Sequence, residues 1–94
     1  MKLVVVTPNM ITEPVECGSV TVFAKDNSSG EGGGSLGFRR GHIKTLAALR
    51  ESSRVTASLN GSVVFSCTVS GGFVRVENDE VTVMTEEMSQ VRRD

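Results

Sequence analysis

The sequence predicts an all-β domain, and three features carry that expectation. Two tight-turn signals sit between alternating apolar and polar residues late in the chain, residues 19–24 alternate with a period of two, and a valine-rich run opens the sequence. Residues 2–7 contain three consecutive valines and are followed by Pro8-Asn9, which reads as a buried strand entering a turn. Residues 11–16 are interrupted by Pro14, which cannot donate to a ladder, so any strand there belongs at a sheet edge or a bulge. In residues 19–24, Val20, Val22 and Ala24 share one face while Ser19, Thr21 and Phe23 share the other.

Residues 25–37 hold five of the ten glycines together with Asp26, Asn27 and three serines, and that composition predicts a mobile loop. The next stretch, 37–54, taken alone reads as helix, because Ile43, Leu46 and Leu49 recur at threefold spacing around Ala47 and Ala48. Val55, Ala57 and Leu59 then alternate with polar residues, Asn60-Gly61 is a strong hairpin signal, and Val63, Phe65, Cys67 and Val69 alternate on the return. Ser70-Gly71-Gly72 permits a sharp bend into a second hairpin, with Val74 and Val76 on one arm, Glu77-Asn78-Asp79 at the turn and Val81 and Val83 on the other. Thr85 followed by Glu86 and Glu87 looks like a capped helix start, so residues 85–94 are expected to be a frayed tail or the beginning of a longer helix.

At 94 residues, with no composition break, the chain fits one domain. A domain this small buries only about 60–65% of its unfolded surface, so a covering partner is plausible from size alone. Ten Lys and Arg against eleven Asp and Glu leave a net charge of −1, which gives no electrostatic reason to expect nucleic acid or anionic lipid. The four phenylalanines are not interleaved with the basic residues Arg39, Arg40, Arg50 and Arg54 as a stacking platform. Those arginines read as a solvated face or as an electrostatic contact with an acidic protein. The apolar run 3–6 is too short for a signal-peptide core or a membrane span. Cys17 and Cys67 are too few and too far apart for a disulfide scaffold or a zinc site, and read as reduced thiols, with Cys67 on the apolar side of its strand.

Gly32, Gly34 and Gly37 spell G-x-G-x-x-G, but a dinucleotide site needs a parallel βαβ unit, and antiparallel hairpins follow instead. No cofactor is expected. His42 is the single histidine and has no Asp or Glu near it in sequence, so it reads as structural or interfacial. Neither a catalytic nor a metal-binding set emerges.

Several segments together carry a family resemblance: 3–9 (LVVVTPN), 20–22 (VTV), Leu36-Gly37-Phe38-x-x-Gly41-His42, 69–74 (VSGGFV) and 81–83 (VTV). In order and spacing they resemble the epsilon subunit of F-type ATP synthases along nearly the whole chain. The resemblance implies a sandwich of two antiparallel sheets with about ten short strands, spanning 1–84. It also implies that 43–49 is extended rather than helical. It further implies a non-catalytic rotor-stalk subunit, peripheral at the cytoplasmic face of a bacterial plasma membrane. Such a subunit joins the gamma subunit to the membrane ring and couples ion translocation to ATP synthesis or hydrolysis, with no membrane insertion and no small-molecule substrate in this domain. By motif, Gly34, Ser35, Leu36, Gly37 and Phe38 match a loop facing the membrane ring, with Leu36 or Phe38 as its apolar anchor, and Thr7 and His42 match positions toward gamma.

Two departures stand out: Ser35 occupies a usually acidic position, and Arg40 occupies a usual proline position. The family continues into a C-terminal helical hairpin that is missing or truncated here, so inhibition by that hairpin is not expected of this chain. The competing expectation is a free-standing β-sandwich adaptor that binds an unrelated protein through the glycine-rich loop.

Overall fold

A computed structural model describes residues 1–25, 35–39, 41 and 44–93. Ten strands run β1 (Lys2–Val6), β2 (Val15–Glu16), β3 (Ser19–Phe23), β4 (Ser35–Arg39), β5 (Thr45–Leu49), β6 (Ser53–Leu59), β7 (Ser62–Val69), β8 (Gly72–Glu77), β9 (Glu80–Met84) and β10 (Met88–Arg93). They form two five-stranded sheets, sheet I in the order β2-β1-β9-β8-β5 and sheet II in the order β10-β7-β6-β3-β4. This is the expected sandwich. The pairings are antiparallel except that β1 lies parallel to β9, in the register Leu3 to Val81 and Val5 to Val83.

Alternation in sequence becomes two apolar inner faces. Leu3, Val5, Leu49, Val74, Val76, Val81 and Val83 point inward from sheet I, and Val20, Val22, Phe38, Val55, Ala57, Phe65, Cys67 and Val69 from sheet II; all are buried in one cluster. Each face would be exposed if its sheet stood alone, so the two close on each other, at about 25 cal/mol for every Å² of apolar surface removed from water. The predicted hairpins both form through two-residue turns. Asn60 and Gly61 have φ of 53° and 82°, and Asn78 and Asp79 have φ of 52° and 62°; paired left-handed residues match the strand twist.

The chain passes between sheets at corners held by directional bonds. At one corner the end of β3 reaches sheet I, where the Lys25 amide donates to the Ala48 carbonyl (3.0 Å) and the Arg50 amide to the Phe23 carbonyl (3.0 Å). Buried Ser53 locks the same corner, its Oγ accepting from the Phe23 amide (3.1 Å) and donating to the Phe23 carbonyl (3.2 Å). At another corner Gly71 and Gly72 carry β7 into β8 with φ of 85° and 107°. A side chain at Gly72 would collide with the Met84 carbonyl oxygen of the neighbouring strand.

Three local expectations are corrected. Residues 45–49 are not helix but β5, paired with β8 from Thr45 opposite Val76 to Leu49 opposite Gly72. Alanine and leucine suit either form, and pairing with β8 satisfies the backbone and buries Leu49, in the extended form that the resemblance implied. Ile43 lies outside the described residues. The loop expected over 25–37 gives way at Ser35 to β4, paired to β3; its glycine-rich middle lies outside the described residues.

The expected helix start at Thr85 is a turn between sheets. Thr85 Oγ1 donates to the Glu87 carbonyl (3.3 Å), Ser70 accepts the Glu87 amide on its Oγ (3.1 Å), and the Ser70 amide donates back to the Glu87 carbonyl (3.1 Å). Those bonds take the groups a helix cap would use, and Met88–Arg93 pairs with β7 as β10.

Gly72→Ala combines a forbidden φ with a backbone collision and should cost more than about 3 kcal/mol in urea unfolding. Gly61→Ala, at a φ of 82° with nothing within 4 Å of the added carbon, should cost only about 1–2 kcal/mol. Equal losses would refute the collision as the cause.

Candidate functional site

The outer face of sheet I is built by residues that alternate out of the core. Cross-strand register sets Val6 beside Met84, Met84 beside Phe73 and Phe73 beside Ala48, an apolar row drawn from four strands. Leu46 stands next to it, opposite Arg75, and is 67% exposed; Phe73 is 52% exposed. Charge borders the row, first at Arg75 and then further along the strands, where Lys44 pairs with Glu77 at 3.4 Å. The row ends in an open groove of about 390 Å³ lined by Val6, Thr7, Pro8, Phe73 and Met84, with Ser70, Thr85 and the acidic Glu86 also lining it. An uncharged strip bordered by charge is the kind of surface that another protein covers.

Thr7 lies at the mouth of this groove and closes the turn after β1. Its amide donates to the Met10 carbonyl (2.9 Å), while its Oγ1 accepts from the Met10 amide (3.2 Å) and donates to the Met10 carbonyl (3.3 Å). His42, matched with Thr7 by the sequence, lies outside the described residues, as does Gly34.

Ser35, Leu36, Gly37 and Phe38 are on the other sheet, in edge strand β4, so the structure keeps them apart from Thr7. Their alternation decides what each offers. Ser35 and Gly37 are exposed with Arg39, Leu36 packs partly against the core, and Phe38 is only 2% exposed opposite Val20. Phe38 is therefore a core residue and not a surface anchor. The sequence reading overlooked the sheet I row; its signal was Phe73 and Leu46, each out of phase with its buried neighbours.

Among the described residues no three His, Cys, Asp or Glu side chains converge as a metal site. Cys17 and Cys67 are free, buried thiols. Burial pushes the Cys67 thiol up to about 11, partly offset by the Arg54 charge, and raises Cys17 as well. Gly37 is followed by strand rather than by a helix N-terminus, which removes the context a phosphate-cradling loop requires.

The β-sandwich domain model of the ATP synthase delta/epsilon chain matches residues 1–91. The chain belongs to this family. A similar solved structure is a chain in a cryo-EM structure of the Euglena gracilis mitochondrial ATP synthase, comprising OSCP, F1 and c-ring in rotational state 1. It is 22% identical with a TM-score of 0.64, over 92% of this chain and 50% of that chain. At that identity the likeness shows the fold alone, and this chain spans half the length of that chain. No curated protein matches. No helix among the described residues is long and apolar enough to cross a membrane.

The raised Cys67 value has a signed consequence. Below pH 9 the thiol is protonated both folded and unfolded and leaves stability unchanged; between pH 9 and about 11 only the unfolded chain ionises, so stability falls as pH rises. Wild type should lose up to about 2–3 kcal/mol across that window relative to Cys67→Ala, read by urea unfolding at each pH. Identical slopes for the two proteins would refute the assignment.

Proposed function

We propose that this domain is the sandwich part of an epsilon-type central-stalk subunit. In this reading it joins the gamma subunit to the membrane rotor ring and couples ion translocation to ATP synthesis or hydrolysis without performing chemistry itself. It works peripherally, at the cytoplasmic face of a bacterial plasma membrane. The observation that carries the reading is the apolar row of Val6, Met84, Phe73 and Ala48 with Thr7 at its end, on the opposite sheet from the β4 segment Ser35–Arg39.

A transmitter of torque must be stiff and held at two places. Interdigitated valines between hydrogen-bonded sheets supply the stiffness, because a close-packed interior resists deformation. The sheet I row supplies a desolvating surface toward gamma. Toward the ring, β4 presents Ser35, Gly37 and Arg39 outward, so that contact rests on polar groups and exposed backbone rather than on Phe38.

The test is association with purified gamma subunit from the same organism. Wild type should bind at micromolar concentration or tighter. Phe73→Glu should weaken binding by at least about thirtyfold, the effect of losing a central contact, while its circular dichroism stays that of the wild type. Absence of association by wild type, or unchanged binding by Phe73→Glu, overturns the reading.

A further inference from the structure

The two sheets differ in charge as well as in apolarity. The strands of sheet I carry Lys2, Glu16, Arg75, Glu77 and Glu80, a mixture of both signs. The strands of sheet II carry arginines and not one carboxylate: Arg39 on β4, Arg54 on β6, Arg92 and Arg93 on β10. In a chain of net charge −1 this leaves one face cationic.

Register puts three of these guanidinium groups on the outer surface. Arg39 is opposite Ser19, Arg54 opposite Thr68 and Arg92 opposite Ser66, each on the pleat phase opposite to the apolar core residues, although Ser66 is itself buried. None of the three is in an ion pair with a described carboxylate. Arg54 and Arg92 line one open groove of about 350 Å³ with Thr56, Ser66 and Val63, and Arg54 Nη2 donates to Ser66 Oγ at 3.2 Å. Thr21, Thr56, Ser58, Thr68 and Ser89 add hydroxyls on the same side.

We infer that the outer face of sheet II docks an acidic polypeptide segment, with Arg39, Arg54 and Arg92 engaging its carboxylates and the serine and threonine hydroxyls donating between them. The span argues for an extended anion. Arg39 and Arg92 lie on the two edge strands, four strand spacings or about 19 Å apart, a distance no single phosphate bridges. Nucleic acid lacks its stacking surface here, since Phe23 is half-buried with the Arg50 guanidinium over its ring at 5.8 Å. An anionic bilayer would meet a protein of net negative charge, whereas a peptide follows one face and leaves the rest in solvent. This surface is on the opposite side from the row assigned to gamma and shares Arg39 with the β4 face assigned to the ring; its test uses neither partner, so its failure is distinguishable from the failure of that reading.

Titration of the 94-residue chain with fluorescent poly-L-glutamate measures the interaction by anisotropy. Binding should appear at about 0.01 M salt and vanish at about 1 M, where the screening length falls from about 30 to about 3 Å. The triple variant Arg39→Gln, Arg54→Gln, Arg92→Gln should weaken it about tenfold or more, the combined effect of three exposed pairs. Arg75→Gln, on sheet I, should leave it unchanged. The inference is overturned by no binding at low salt, by an equal loss in Arg75→Gln, or by equal or tighter binding to phosphatidylserine vesicles or single-stranded oligothymidine. Circular dichroism of the triple variant guards against unfolding, and the salt series requires no variant at all.

Discussion

Each sheet of this domain is apolar on one side and cannot stand alone, and that single constraint organises everything else. Valine recurs at every second position of β3, β8 and β9, so pleating delivers a continuous apolar face without any long-range instruction. Closing the two faces fixes which side of each strand is core and, by default, which residues are left for partners. Phe38 and Phe73 illustrate the result: the same residue type is buried at one position and exposed at the other because the two occupy opposite phases of the pleat.

Burial alone would permit sliding, and the corners prevent it. Ser53 against the Phe23 backbone, Thr85 and Ser70 against Glu87, and the left-handed pair Gly71-Gly72 each hold a crossing by hydrogen-bond direction or by backbone geometry. These contacts explain how a small domain becomes stiff. They also leave the two outer surfaces chemically unlike: sheet I shows an apolar row, and sheet II shows arginines among hydroxyls. The proposed stalk role, with different partners on different sides, would make use of that asymmetry.

Much of this was legible locally. The Asn60-Gly61 and Asn78-Asp79 turns, the alternation on either side of them and the bend at Gly71-Gly72 are determined by the conformational preferences of a few adjacent residues, and all appear where the pattern put them. The segment 45–49 failed locally because alanine and leucine suit a helix as well as a strand, and only β8 beside it settles the choice. Thr85 failed for the same kind of reason: its cap-like chemistry is taken up by Ser70 and Glu87, which are brought to it by the closure of the sandwich.

The order of residues by itself determined an all-β chain, its hairpins, most of its inward valines and its likeness to a delta/epsilon sandwich. Tertiary structure alone decided that β1 would lie parallel to β9, that Phe38 would face the core, and that Val6, Met84, Phe73 and Ala48 would meet in a row. The physical reason is range. Turn and strand preferences act over a few bonds and can be read along the chain, whereas register between strands distant in sequence is chosen by the whole buried face at once, and every surface feature made from several strands inherits that choice.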